Sequence, residues 1–205
     1  MASFGERLNS LMQSAGLKEE NMVYLLGISS QRLENLLTGY SEADVTLVER
    51  VASIFDVAPS YAAGLSDKKE VAEANAREIF VAERLDPVSG MMRLKDVTES
   101  IYIDKSELHG KDYIGLKVKD DSMAKARIFE GDTVVVRRQQ FADSGNVVAV
   151  LMEDGSYIIR RYSRKGNIVT LTCEGDGIKY PPIKVDTKEE TLRIIGRVTE
   201  LRVSF

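Results

Sequence analysis

Ser122 lies in the string Val118–Val136, VKDDSMAKARIFEGDTVVV, where Asp-Ser-Met is followed eight residues after the serine by Glu130-Gly131-Asp132 and a β-branched run. A serine hydroxyl becomes a useful nucleophile only when a neighbouring base takes its proton. The other groups with reactive potential are sparse. One cysteine and one histidine, Cys173 and His109, cannot build a zinc cluster, so no metal and no cofactor is expected. His109 reads as a loop residue and Cys173, inside a β-branched run, as a small buried hydrophobe. The cluster Arg160, Arg161, Arg164 and Lys165 offers a contact for DNA or an acidic partner, but reads first as a solvated strand and turn.

A second constellation occupies Lys18–Gly39, KEENMVYLLGISSQRLENLLTG. Gly27 supplies the left-handed residue that a tight turn between two helices needs. Ser29 or Ser30 can cap the second helix, Leu33, Leu36 and Leu37 face inward, and Ile28 tucks into the angle. Ser30, Gln31, Arg32, Glu34 and Asn35 then fall on or near the exposed face. Gln and Asn can pair bidentately with adenine, and Arg can read guanine or hold a phosphate. Charge opposes this reading, because residues 1–70 carry 6 Lys+Arg against 10 Asp+Glu. A DNA reader draws much of its affinity from phosphate neutralisation, so an acidic one must dimerise to gain strength. The opposing reading is a helical bundle whose polar face keeps it soluble.

These residues must be positioned by two kinds of element. The chain has 205 residues, 43% hydrophobic and 29% charged, with a net charge of −4. That is ordinary globular composition. Phe4, Leu8, Leu11 and Met12 share one helix face, as do Val45, Val48, Val51, Ala52 and Phe55, with Ser41 as N-cap of the latter and Pro59 marking a break. Residues 68–85, rich in Ala, Glu, Lys and Arg, read as a further helix. From about residue 100 the period falls toward two. Strands are expected at Ser100–Lys105, Tyr113–Val118, Thr133–Arg138, Asn146–Met152, Tyr157–Tyr162, Asn167–Cys173 and Leu192–Val203. The last of these, running toward Phe205, suits edge pairing or packing on a symmetry mate, or else an ordinary edge strand. The longest apolar run, Val147–Met152, is far too short to span a membrane, and the opening residues show no leader pattern.

The phrase LLGISSQRLENLLTG resembles the turn and recognition helix of the Cro/CI (Xre) repressor family over residues ~4–65. Glu19 departs from that family, which often has Gln at the start of the second helix. Residues ~88–205 resemble the LexA/UmuD/phage-repressor peptidase family, through Asp-Ser-Met, Glu-Gly-Asp, Gly145–Leu151, Tyr157–Tyr162, Glu174–Ile183 and Ile194–Val198. The second resemblance implies self-cleavage by a Ser-Lys dyad. Its lysine position falls on Arg160, 38 residues after Ser122, and a guanidinium cannot act as a base. The candidate counterparts of the family's small-Gly scissile bond are Ser89-Gly90 and Ala63-Gly64. Ser122 is thus either a residual nucleophile served by Lys117, Lys119 or Lys179, or a vestigial one kept as a turn serine, and we expect the latter.

Together the resemblances imply an α + β two-domain protein. A helix-turn-helix bundle of the lambda-repressor kind fills 1–66, a helical connector 67–99, and a LexA-like β domain for oligomerisation 100–205. The expected function is a phage or prophage CI-type transcriptional repressor serving lysogeny in the cytoplasm of a bacterial host. It would bind double-stranded operator DNA as a homodimer or higher homo-oligomer, and an antirepressor-type partner would release it. The alternative is an active Ser-Lys autopeptidase repressor cleaved in the DNA-damage response.

Overall fold

A computed structural model describes residues 2–70, 75–108, 112–177 and 179–203. The expectation for His109 lies outside them. The chain divides into two compact units, one of Met1–Glu78, Met92–Lys95 and Tyr102–Leu108, the other of Ile79–Met91, Asp96–Ile101 and His109–Phe205.

The first unit carries α1 (Phe4–Ser14), α2 (Glu19–Leu26), α3 (Ser30–Leu37), α4 (Val45–Phe55) and α5 (Pro59–Ala63). Ser3 and Glu6 close a reciprocal cap on α1. The Glu6 amide donates to the serine hydroxyl (3.3 Å) and the Ser3 amide to the glutamate carboxylate (2.7 Å). Leu8, Leu11 and Met12 of the expected stripe are buried together with Met22, Leu26, Leu33, Leu36, Val48 and Val51. Gly5 lets α1 approach α3 closely, since a Cβ there would lie 2.5 Å from the Leu36 carbonyl oxygen.

One local expectation fails here. Asp44, rather than Ser41, caps α4 by accepting from the Leu47 amide at 3.0 Å. A carboxylate directly before the first helical residue also complements the helix dipole, which a serine three residues earlier cannot do. Pro59 marks the expected break after α4 and also starts α5, at a position whose N–H would have no helical partner anyway.

The β elements are β1 (Ala76–Ala82), β2 (Val97–Asp104), β3 (Tyr113–Lys117), β4 (Thr133–Arg138), β5 (Val147–Leu151), β6 (Tyr157–Lys165), β7 (Ile168–Thr172), β8 (Ile183–Asp186) and β9 (Arg193–Arg202). They form one sheet in the order β2-β1-β3-β4-β9-β5-β6-β7-β8. Residues 76–82 are therefore strand, not the helix expected across 68–85. Helix-forming composition yields to the apolar run Ile79-Phe80-Val81, which is buried and runs parallel to β3 with Val81 opposite Gly115.

The position of β9 is the larger correction. It lies between β4 and β5, antiparallel to both, so its backbone is unavailable for edge pairing with another chain. A Cβ on Gly196 would run into the Arg137 carbonyl, so β9 passes β4 closely there. The short strand β8, which the sequence pattern did not signal, pairs with β7. Cys173 falls just beyond β7 and is half-buried rather than a core residue. No helix among the described residues is long and apolar enough to cross a membrane.

Candidate functional site

The Ser122 turn is built where β3 leaves the sheet and β4 enters it. The Val118 amide donates to the Asp132 carbonyl (2.8 Å) and the Gly131 amide to the Val118 carbonyl (3.0 Å), closing the loop at its base. The Asp121 carboxylate accepts from the Glu130 amide at 3.0 Å, and Asp132 accepts from the Phe129 amide at 2.9 Å. The two turns noted in sequence therefore clip each other together. Met123, buried beside the serine, forms a bridge with Ile128.

A third segment closes over this turn. After β7, the Glu174 amide donates to the Ser122 carbonyl (2.8 Å) and the Lys125 amide to the Glu174 carbonyl (2.6 Å). Gly175 permits the approach, because a Cβ there would lie 2.7 Å from the Asp121 carbonyl oxygen. The Arg161 guanidinium, 2.5 Å from Glu174, anchors the segment to β6 and holds the Glu174 carboxyl below its ordinary range.

Ser122 is 1% exposed and Arg160 6% exposed, and the structure brings them together. Arg160 sits on β6 opposite Val148. Its Nη1 donates to Ser122 Oγ and to the Ile159 carbonyl, the latter at 2.8 Å. Its Nη2 lies 3.6 Å from the Asp120 carboxylate, and the Tyr180 ring centre is 5.6 Å from the guanidinium carbon. Among the described residues the Arg160 Nε is buried without a hydrogen-bond partner. The arginine is thus not part of a solvated strand and turn, as its cluster suggested. Its desolvation is offset by the Asp120 charge and by two accepting oxygens.

A guanidinium has donors and no acceptor, so it cannot receive the serine proton. Two of the three lysines weighed as a base, Lys117 and Lys119, are engaged elsewhere. Lys117 pairs with Glu99 at 2.6 Å and Lys119 with Glu83 at 2.8 Å. The Lys179 ammonium lies 5.0 Å from the Tyr180 ring centre, and the Tyr180 hydroxyl holds it above its ordinary range, the opposite of what a base requires.

A cavity of about 490 Å³ opens beside the turn, lined by Asp121, Ala124, Lys125, Gly175, Asp176, Lys179 and Tyr180. Neither small-Gly pair lines it. Ser89 and Gly90 border a separate cavity, in a turn pinned by the Asp86 carboxylate, which accepts from the Val88 and Ser89 amides and the Ser89 hydroxyl. Ala63 is buried at the end of α5, with Gly64 as its left-handed cap.

In the first unit, α2 ends at Gly27 (φ 61°, ψ 38°) and α3 begins after Ser29, whose hydroxyl accepts from the Arg32 amide at 3.2 Å. Ser30, Gln31 and Glu34 are exposed, while Arg32 and Asn35 are half-buried. The Gln31 amide nitrogen donates to Glu34 (3.2 Å) and Asn35 (3.3 Å), so three of the five polar groups are already oriented. Arg32 lies 3.7 Å from Asp44, and Arg50 donates to the Leu26 carbonyl at 2.5 Å, bracing the end of α2. Glu19 is the exposed first residue of α2.

Tyr24 and Tyr40 are each 86% exposed, and the apolar segment Met22–Leu26 hides the first because an aromatic there reads as core. The roles of Asp120 and Tyr180 were missed as well. An Asp two residues before a serine is a turn signal that could have revealed the first.

Known proteins place this arrangement. A LexA repressor of Shewanella baltica is 30% identical over 141 residues, covering 69% of this chain and 67% of the relative. That of Citrifermentans bemidjiense is 33% identical over 119 residues, 55% of this chain and 58% of the relative. A LexA repressor of Shewanella oneidensis is 38% identical over 100 residues, 49% of this chain and 47% of its own length. The Peptidase S24-like family matches residues 80–199, which include the serine turn, the arginine opposite it and the strands that hold both. By that match, this chain belongs to the Peptidase S24-like family.

Proposed function

We propose that the protein is a DNA-binding transcriptional repressor of the LexA/S24 type, of phage or prophage kind, that does not release itself by cleavage. In this reading α2 and α3 are a helix-turn-helix of the Cro/CI kind. Ser30, Gln31, Arg32, Glu34 and Asn35 face the major groove of operator DNA. The second unit holds subunits together as a homodimer or higher homo-oligomer, and two half-sites bound at once multiply the weak contacts of an acidic reader. The resemblance to LexA repressors supports the regulatory role, and the αL turn at Gly27 supports the reading element.

The observation that carries the non-cleaving part is the Arg160 guanidinium on Ser122 Oγ, where proton abstraction would need an amine. Release from DNA then falls to a protein partner of the antirepressor type, which would cover α3 or separate the subunits. The test is a titration on duplexes selected from a random library, run before and after prolonged alkaline incubation. Retained, salt-dependent and sequence-selective binding by intact chains is expected. Selection that yields no preferred sequence would overturn the repressor assignment, and loss of binding with fragmentation would overturn the non-cleaving one.

A further inference from the structure

Acyl transfer to a serine needs more than a base. An N–H must point at the oxygen that becomes negative, and the amide of the nucleophile itself can supply that donor. Here the Ser122 amide is already occupied, because it donates to Asp120 Oδ1 at 2.9 Å. The other oxygen of the same carboxylate lies 3.6 Å from Arg160 Nη2. One side chain therefore places negative charge where an oxyanion would develop and also faces the guanidinium that covers the hydroxyl.

We propose that Asp120 is a second, independent lock on the Ser122 pocket: a positioning residue whose carboxylate stands in for the oxyanion at the serine amide. The proposal rests on the reading of Ser122 as lacking a base, and adds that supplying one is not enough. An amine placed at position 160 would meet the Asp120 carboxylate, which favours the charged, proton-holding form. An incoming carbonyl would meet a filled amide and a like charge. Loss of one oxyanion donor typically costs about 100- to 1,000-fold in rate, so Asp120 should matter on that scale.

The test uses the full chain and a fluorophosphonate probe, which reports serine reactivity without needing a scissile bond. Ser122 Oγ bonds to phosphorus, fluoride leaves, and the introduced amine takes the hydroxyl proton. Rates of Ser122 labelling, read by mass spectrometry from about pH 6 to 11, are compared in the parent, Arg160→Lys, Arg160→Lys/Asp120→Asn and Arg160→Lys/Asp120→Ala. Asparagine keeps an acceptor for the Ser122 amide but removes the charge. It should lower the pH midpoint relative to Arg160→Lys while leaving the plateau rate low. Alanine should lower the midpoint and raise the plateau at least about tenfold over the asparagine variant. Asp120→Gly replaces the alanine if that variant unfolds.

An alanine variant labelled no faster than Arg160→Lys at any pH overturns the proposal, and so does absence of labelling in every variant. Labelling of the parent at the rate of Arg160→Lys would sink the base-less reading of Ser122 instead.

Discussion

Replacing Arg160 with Ala should cost the β unit about 2–3 kcal/mol, and the figure can be worked from its contacts. Ser122 Oγ and the Ile159 carbonyl each lose a bond to a charged donor, worth about 1.5–3 kcal/mol apiece. Stranding a buried partner charge can cost about 3–5 kcal/mol. The Asp120 side chain is 31% exposed, however, so water takes over most of its solvation. Against these losses, deletion removes a buried Nε that has no partner among the described residues, relieving about 1–3 kcal/mol. For a chain of this length the net loss lowers Tm by about 5–10 °C in calorimetry. Because the group is buried, the change should barely respond to salt. Arg160→Lys keeps the charge but not the planar fork, and should fall between the two. An alanine variant within about 0.5 kcal/mol of the parent would refute the reasoning, since surface substitutions typically stay within that range.

Replacing Gln31 and Arg32 together with Ala should abolish operator preference in a competition titration while leaving the oligomeric mass unchanged. Preference that survives would remove α3 from the reading role. Gly196→Ala drives a methyl into the Arg137 carbonyl between two central strands, and should destabilise by about 1–3 kcal/mol in denaturant unfolding. The Glu174 carboxyl is held low by Arg161. The stability it contributes is present above the ordinary glutamate value of 4.5 and fades as pH falls through its lower folded value. Arg161→Met should remove that acid-side slope from unfolding measured between about pH 5 and 2, and an unchanged slope would show that the pair is not formed.

Much of this fold is legible in the chain because its cues are local. A continuous β-branched run marks Thr133–Arg138, and the strand has those bounds. Gly27 and Ser29 fix the turn between α2 and α3 by conformation and capping alone. The failures share a different cause. β1 looks helical by composition and becomes a strand by pairing between β2 and a parallel neighbour 34 residues away, Val81 beside Gly115. The terminal run 193–202 looks like an edge because it comes last, yet strand order is set by long-range pairing and puts it in the centre. In the site, Ser122 and Arg160 are paired by the resemblance to the peptidase family, whereas the Asp120 contact to the Ser122 amide required the turn's geometry.

The central claim is that a guanidinium on Ser122 Oγ leaves the hydroxyl without a proton acceptor. Intact mass spectrometry after prolonged incubation of the full chain at about pH 10, where a dyad lysine near its ordinary value would be largely neutral, tests it most directly. A single species at 22.8 kDa is predicted. Two complementary fragments that disappear on Ser122→Ala would contradict it.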